Sequence, residues 1–115
     1  MWRVPEVALC PLEDLVEGAP RRFDGEGFRV VVVRIGDDVY AIGDRCSHQD
    51  VSLSEGEVDV EARTIECWKH GSTFDLRTGE PETLPATRPV PVYDVRIRDG
   101  TVMLEVGAPA RAAES

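Results

Sequence analysis

Two short stretches of this chain, Cys46-Ser47-His48 and Cys67-Trp68-Lys69-His70, decide how the rest of the sequence is interpreted. Each stretch supplies one cysteine and one histidine, separated by one residue in the first and by two in the second. The wider spacing favours a tight turn over a strand, because residues three apart in a strand face opposite sides of the sheet. Thiolates and imidazoles together select zinc or an iron–sulfur centre over a hard cation. The sequence therefore predicts one metal centre held by two loops.

The chain around these stretches resembles the Rieske family of iron–sulfur proteins. The shared pattern is Cys-x-His, a segment spanning residues 49–66, and Cys-x-x-His followed by Gly71. The similarity continues through residues 50–56 and 70–75. Leu84-Pro85-Ala86 is also similar to the proline loop that covers the cluster from a third side in that family. The resemblance spans most of the chain, and the paired motif is specific.

The resemblance implies a [2Fe–2S] cluster in which two cysteines bind one iron and two histidines bind the other. Carried over to this sequence, Cys46 and Cys67 would bind one iron, and His48 and His70 would bind the other. It also implies an all-β fold, an antiparallel sandwich or small barrel with both cluster-binding loops and the proline loop at one end. The third cysteine, Cys10, is paired with no histidine in sequence and is predicted to be a small buried hydrophobe.

Four positions indicate which branch of the family the chain resembles. High-potential members of the cytochrome-bc type carry a second cysteine in each loop and join the two by a disulfide, whereas Val51 and Lys69 occupy those positions here. Their tyrosine donor to a cluster cysteine corresponds to Phe74, which has no hydroxyl, but their serine is retained as Ser72. This combination resembles the soluble, low-potential ferredoxins that serve bacterial oxygenases.

The resemblance implies a one-electron carrier with no catalytic residues of its own. A flavin-dependent ferredoxin reductase would supply the electron, and a terminal oxygenase of the ring-hydroxylating type would receive it. Rieske oxygenases hold their catalytic mononuclear iron in a long second domain, which we do not expect in a chain of 115 residues. Two other functions of the same fold stay open: an accessory protein of iron–sulfur cluster assembly, and a small subunit of a nitrite-reductase-like enzyme.

Three other interpretations of the cysteine–histidine pairs are weaker. A zinc-stabilised interaction module would use the four residues as a tetrahedral set, but zinc modules usually place like ligands together in each knuckle. A cysteine and a histidine could act as nucleophile and base, yet two nearly identical pairs fit ligation better. The pairs could also be unrelated core cysteines and surface histidines. That is a poor account, because the only two histidines of the chain both lie beside these cysteines.

The composition is that of one globular domain with an acidic surface. The formal net charge of −9 argues against a nucleic-acid partner, since binding phosphates requires lysine and arginine. The longest aliphatic run, Val30–Val33, is far too short to span a bilayer, and residues 1–5 lack the apolar stretch of a signal peptide. Three cysteines, an odd number, speak against a disulfide framework. We therefore expect a cytoplasmic monomer with reduced thiols and no membrane association.

Short apolar runs separated by turn residues predict many strands and almost no helix. The predicted strands are residues 4–9, 21–24, 28–35, 39–42, 58–60, 64–66, 73–76, 93–98 and 102–106, with one helical turn at Leu12, Leu15 and Val16. Val30–Val33 is apolar throughout, as in a central strand covered on both faces. Asp99-Gly100 predicts a hairpin turn, and the proline-rich residues 81–91 predict a surface loop. Residues 1–107 are predicted to form one domain and residues 108–115 a flexible tail.

Overall fold

The computed structural model describes residues 6–25, 28–44, 52–68, 71–82 and 89–105. Within these ranges the chain forms short strands and two 3₁₀ turns. The strands are β1 (Glu6–Pro11), β2 (Arg21–Gly25), β3 (Phe28–Ile35), β4 (Asp38–Gly43), β5 (Glu57–Asp59), β6 (Thr64–Glu66), β7 (Thr73–Asp75), β8 (Val92–Tyr93), β9 (Val95–Arg98) and β10 (Thr101–Glu105), and the 3₁₀ turns are Leu12–Asp14 and Leu53–Glu55.

The strands form three antiparallel sheets. The first sheet has the order β1-β10-β9, the second β2-β3-β4-β8, and the third β5-β6-β7. Strands β3 and β4 of the second sheet are joined by a two-residue turn, Gly36-Asp37, as the glycine and aspartate at this point of the sequence predict. The third sheet is built from strands of three residues each, and it leads into and out of the second cysteine–histidine stretch.

Strand β3 lies between two hydrophobic cores. Val30 and Val32 point into the core shared with the first sheet, where they join Val102 and Leu104. Val31 and Val33 point to the other face, into a core that also holds residues of the third sheet. All four valines are fully buried. The alternation of side chains along a strand explains how one apolar run serves both cores, and it confirms the prediction that this strand is covered on both faces.

The strand predicted at residues 93–98 is divided in the structure. Val92 and Tyr93 pair with β4 in the second sheet, whereas Val95–Arg98 pairs with β10 in the first. The chain changes sheets at Asp94, which the alternation of apolar residues does not reveal. Ile97 lies opposite the buried Val102 but remains 43% exposed, because β9 is an edge strand and offers cover on one side only.

The predicted helical turn is a shorter 3₁₀ turn, Leu12–Asp14. The backbone of Leu15 is already extended, with φ −88° and ψ 121°, and its side chain is buried. Val16 therefore turns away from the core and is 69% exposed. The prediction that Leu12, Leu15 and Val16 share a helical face is wrong at Val16, because the turn ends at Asp14, two residues before it. The prediction that Cys10 is buried is confirmed.

The proline-rich segment is anchored at both ends. Pro81 forms an isolated bridge with Phe74, and Val90 is buried in the core next to the third sheet. The two ends of the predicted surface loop are therefore packed against the sheets, and its middle, residues 83–88, lies outside the described residues. The predicted tail at 108–115 lies outside them as well. In the part of the chain that is described, no helix has the length and apolar character needed to cross a membrane.

Candidate metal centre

Of the four predicted ligands, Cys67 lies in the described part of the chain. Cys67 follows β6 directly and is almost fully buried, in the core that also contains Phe74 and Leu53. Its thiol is free of any disulfide. The other three predicted ligands, Cys46, His48 and His70, lie outside the described residues, as do Val51, Lys69 and the proline-loop residues Leu84-Pro85-Ala86.

The segment that follows Cys67, residues 68–71, is referred to as the second loop, and backbone hydrogen bonds join its two ends. The Cys67 amide donates to the carbonyl oxygen of Ser72 at 2.7 Å, and the Gly71 amide donates to the carbonyl oxygen of Cys67 at 2.9 Å. Gly71 has φ +79°, a conformation that suits glycine because a Cβ would be strained there. The bonds between the two ends of the second loop agree with the predicted tight turn, and the backbone fixes Cys67 where the loop begins.

The first loop, residues 45–51, leaves the second sheet at the end of β4. Its entrance is fixed by Gly43, whose amide donates to the carbonyl oxygen of Pro91 at 2.8 Å. The described chain resumes at Ser52 and enters the 3₁₀ turn Leu53–Glu55, where Leu53 is fully buried. The loop that carries Cys46 and His48 therefore starts and ends on well-packed segments.

Backbone contacts join the ends of the three loops. Pro91, which follows the proline loop, is bonded to Gly43 at the entrance of the first loop, as described above. Before the proline loop, the Glu82 amide donates to the carbonyl oxygen of Thr73, just past the second loop, at 2.7 Å. The exit of the first loop is also close to the entrance of the second, since a Cβ placed on Gly56 would overlap the carbonyl oxygen of Glu66. The three loops therefore begin and end at one region of the molecule.

Charged groups surround this region. Asp44, one residue past β4, has a fully buried carboxylate, and Arg22 Nε lies 3.6 Å from its Oδ2. Burial alone would raise the pKa of Asp75, but hydrogen bonds from the side chain and amide of Arg77 outweigh burial and lower that pKa below its ordinary value. Beside Cys67, the indole of Trp68 is 53% exposed. The sequence predicted no function for Asp44, since a lone aspartate at a strand end is an ordinary turn residue.

The position of Cys67 fits a soft metal centre. A buried sulfur at the start of a short loop whose ends are joined by backbone bonds can bind a thiophilic metal. The hydrophobic core around Cys67 keeps water away from the side of the sulfur that faces the protein interior. The described residues thus suit an iron–sulfur cluster held between the first and second loops.

Comparison with known proteins identifies the class. A family model described as the Rieske [2Fe-2S] domain matches residues 6–94, so this chain belongs to the Rieske [2Fe-2S] family. Its cofactor is accordingly a Rieske-type [2Fe–2S] cluster, as predicted, and structural zinc is disfavoured. The all-β Rieske fold is confirmed by the same match and by the three antiparallel sheets.

Individual relatives narrow the identification to ferredoxins. The 3-phenylpropionate/cinnamic acid dioxygenase ferredoxin subunit of Escherichia coli (strain K12) is 38% identical over 87% of this chain and 92% of the relative. The ferredoxin of carbazole 1,9a-dioxygenase from Nocardioides aromaticivorans IC177 superimposes with a TM-score of 0.85 at 41% identity, over 90% of this chain and 97% of that one. A ferredoxin-type chain in a complex of reduced oxygenase and oxidized ferredoxin of carbazole 1,9a-dioxygenase matches with a TM-score of 0.85 at 34% identity, over 92% and 97% of the two chains. The chain is thus an electron-carrying ferredoxin and not itself an enzyme, as predicted.

Proposed function

We propose that this ferredoxin accepts one electron from a flavin-dependent reductase and delivers it to a terminal oxygenase of the ring-hydroxylating type. The observation that carries the proposal is the match over nearly the whole chain to ferredoxins of dioxygenase systems. The complex of an oxygenase with its ferredoxin supports the second half of the path. Trp68, half exposed beside Cys67, offers an apolar contact close to the cluster.

We infer that Cys46 and Cys67 bind one iron of the cluster and that His48 and His70 bind the other. The burial of Cys67 at the start of a tight turn supports this assignment. The close approach of Gly56, which follows the first loop, to Glu66, which precedes the second, supports it too, because it joins described segments next to the two loops.

The bound cluster supplies a one-electron couple, and the protein sets the conditions for its use. The core around Cys67, with Phe74 and Leu53, excludes water from one side of the site. Two thiolates cancel the +2 charge of the oxidised iron–sulfide core, so the reduced site carries one negative charge that backbone and side-chain donors must accommodate. Phe74 is fully buried and has no hydroxyl, so its side chain donates no hydrogen bond to the reduced site.

We also expect a reducing compartment, consistent with the predicted cytoplasmic location. The chain has three cysteines, two of them proposed ligands, and the third, Cys10, is a buried free thiol. Free thiols persist where the glutathione and thioredoxin systems keep them reduced.

Replacing Cys67 with alanine should abolish the cluster or destabilise it badly, because one iron loses a thiolate. Visible absorption of the oxidised protein and EPR of the reduced protein would both lose the Rieske signature. His48→Ala, His70→Ala and Cys46→Ala should behave alike. The matched control is Cys10→Ser, which changes a buried cysteine in the other core and should leave both spectra intact. A normal Rieske EPR spectrum from Cys67→Ala would refute the ligand assignment.

The electron path is tested separately, by mixing the reduced protein with a purified terminal oxygenase in a stopped-flow instrument. The expected result is one-electron oxidation of the ferredoxin in step with reduction of the oxygenase. A protein with intact Rieske spectra that neither accepts electrons from flavin-dependent reductases nor reduces such oxygenases would point to the cluster-assembly or nitrite-reductase roles.

A further inference from the structure

The side chain of Asp44 closes the neck of the first loop. Its Oδ1 accepts a hydrogen bond from the Ser54 amide at 2.9 Å, and its Oδ2 accepts one from the Ser52 hydroxyl. Its backbone carbonyl accepts a third, from the Leu53 amide at 2.5 Å. The residue before the loop therefore holds three consecutive residues after it.

The position of Asp44 is itself fixed on both sides of the loop. Its amide donates to the carbonyl oxygen of Arg29 in β3 at 3.1 Å, which ties it to the second sheet. Beyond the loop, Leu53 is fully buried in the core that also contains Cys67. The side chain of Asp44 therefore joins two well-packed segments, one before the first loop and one after it.

The hydrogen bonds of Ser52 also indicate that Asp44 joins the two ends of the first loop. Ser52 occupies the N-cap position of the 3₁₀ turn Leu53–Glu55, where a serine commonly accepts a hydrogen bond from a helical amide. In the described structure its hydroxyl makes no such cap and donates to Asp44 instead, while it also lies 2.6 Å from the Ser54 hydroxyl. The Ser52 hydroxyl therefore bonds directly to the carboxylate, and the Ser54 hydroxyl bonds to Ser52.

A buried carboxylate is costly unless it is paired or fully hydrogen-bonded. Arg22 compensates Asp44 only partly: its Nε lies 3.6 Å from Asp44 Oδ2, whereas it binds Asp24 through Nε at 3.0 Å and Nη2 at 2.9 Å. The second loop, which is shorter, is closed by its own backbone bonds. The first loop spans seven residues and is closed at its neck by a charged side chain.

We propose that Asp44, with Ser52 and Ser54, forms a positioning clamp that fixes the two ends of the first loop, which carries the proposed ligands Cys46 and His48. This inference rests on the ligand assignment under the proposed function. Asp44 precedes Cys46 by two residues, so their Cα atoms are at most about 7 Å apart. A negative charge on Asp44, two residues from the proposed ligand Cys46, also opposes the arrival of an electron on the cluster, and so Asp44 lowers the midpoint potential.

Two variants separate the closing role of the clamp from its charge. Asp44→Asn removes the charge and one of the two acceptor oxygens, while Ser52→Ala removes a donor and keeps the charge. Both should release iron to a chelator faster than the wild-type protein, by about tenfold if one hydrogen bond to a charged group is lost. The midpoint potential should rise in Asp44→Asn and should not rise in Ser52→Ala.

The control is Asp37→Asn, the same substitution at an exposed aspartate in the turn before β4, at the end of that strand away from the loop. It should leave both the chelation rate and the midpoint unchanged. Wild-type chelation rates in Asp44→Asn and Ser52→Ala would overturn the clamp.

Amide hydrogen exchange of the purified protein gives a readout that does not depend on the cluster. The amides of Leu53 and Ser54 should exchange faster in Asp44→Ala than in the wild type, because alanine removes the oxygen that accepts from the Ser54 amide and the adjacent bond from Leu53 to the Asp44 backbone carbonyl depends on the same closed neck. If the wild-type protein shows no Rieske spectrum, the ligand assignment fails, and exchange still decides the clamp. Unchanged exchange at these two amides would overturn it.

Discussion

Gly56 is the residue at which one added methyl group would disturb the centre most directly. A Cβ there would overlap the carbonyl oxygen of Glu66, the residue before Cys67, although its backbone, with φ −91°, is open to any residue. Gly56→Ala should therefore cost about 2–3 kcal/mol through overpacking and displace the start of the second loop. Urea unfolding gives the free-energy change, and EPR of the reduced protein reports the disturbed centre.

Gly36→Ala is the matched control, because it adds the same methyl group at a position where no atom lies close to it. Gly36 has φ +63° and nothing within 4 Å of an added Cβ, so alanine meets backbone strain alone. We expect a loss of about 1 kcal/mol and an unchanged EPR spectrum. Equal stabilities for Gly56→Ala and the wild-type protein would show that the segment around Gly56 does not constrain Glu66.

Ser72 is the second residue whose role can be measured. It is buried, and its backbone carbonyl accepts the bond that closes the second loop. If its hydroxyl donates to the cluster, it stabilises the reduced form, and about 1 kcal/mol of such preference equals roughly 40 mV for one electron. We predict a wild-type midpoint near the lower end of the Rieske range, about −150 mV, and a value lower by tens of millivolts in Ser72→Ala. Film voltammetry showing a shift of a few millivolts would assign the hydroxyl to the turn alone.

At the scale of elements, Asp75 organises the turn that leads from β7 toward the proline loop. Its Oδ1 accepts bonds from the amides of Arg77 at 2.7 Å and Thr78 at 3.3 Å, and its carbonyl accepts one from Gly79 at 2.7 Å. Burial alone would raise the pKa of Asp75, but the bonds from Arg77 and Thr78 lower it. A lowered pKa means that the ionised carboxylate stabilises the fold at neutral pH and that this stabilisation is lost as acid protonates it.

Asp75→Asn should therefore lower the free energy of unfolding by about 1–2 kcal/mol at pH 7. The difference from the wild-type protein should shrink as pH falls below about 4, the ordinary range for aspartate. Urea unfolding at several pH values measures both quantities, with the exposed Asp37→Asn as control. A difference that stays constant down to the acid limit would show that the ionised carboxylate is not what stabilises the turn.

The strands also show how much of the fold could be predicted from the sequence. Local alternation placed the strands well, and the apolar run at Val30–Val33 correctly indicated cover on both faces. The change of sheet at Asp94 could not be predicted, because it depends on pairing with β4, which is distant in sequence. The clamp at Asp44 was missed for a related reason. Its partners follow a seven-residue loop, and an aspartate with nearby serines is common in ordinary turns.

At the scale of the whole molecule, charge is distributed unevenly around the sheets. On the first sheet, Arg96 and Arg98 are paired with Glu105 and Glu6. On the third sheet, four carboxylates (Glu57, Asp59, Glu61 and Glu66) line a shallow groove. Glu57 lies directly opposite Glu66 in the β5–β6 pairing, and Glu66 precedes Cys67. The negative field of this acidic chain is therefore exposed close to the second loop, where an electron would leave.

A redox partner with a basic docking surface would be steered by this field, because opposite charges speed association over distances that salt shortens. The rate of electron transfer to such a partner should fall as ionic strength rises toward 0.15 M, where the Debye length is about 8 Å. Glu57→Gln should slow association by about twofold to threefold at low salt. Asp37→Asn removes one negative charge from the turn before β4, at the end of that strand away from the first loop. It should have a smaller effect than Glu57→Gln. Stopped-flow rates that are independent of salt, or equally reduced in both variants, would show that the groove on the third sheet does not steer the partner.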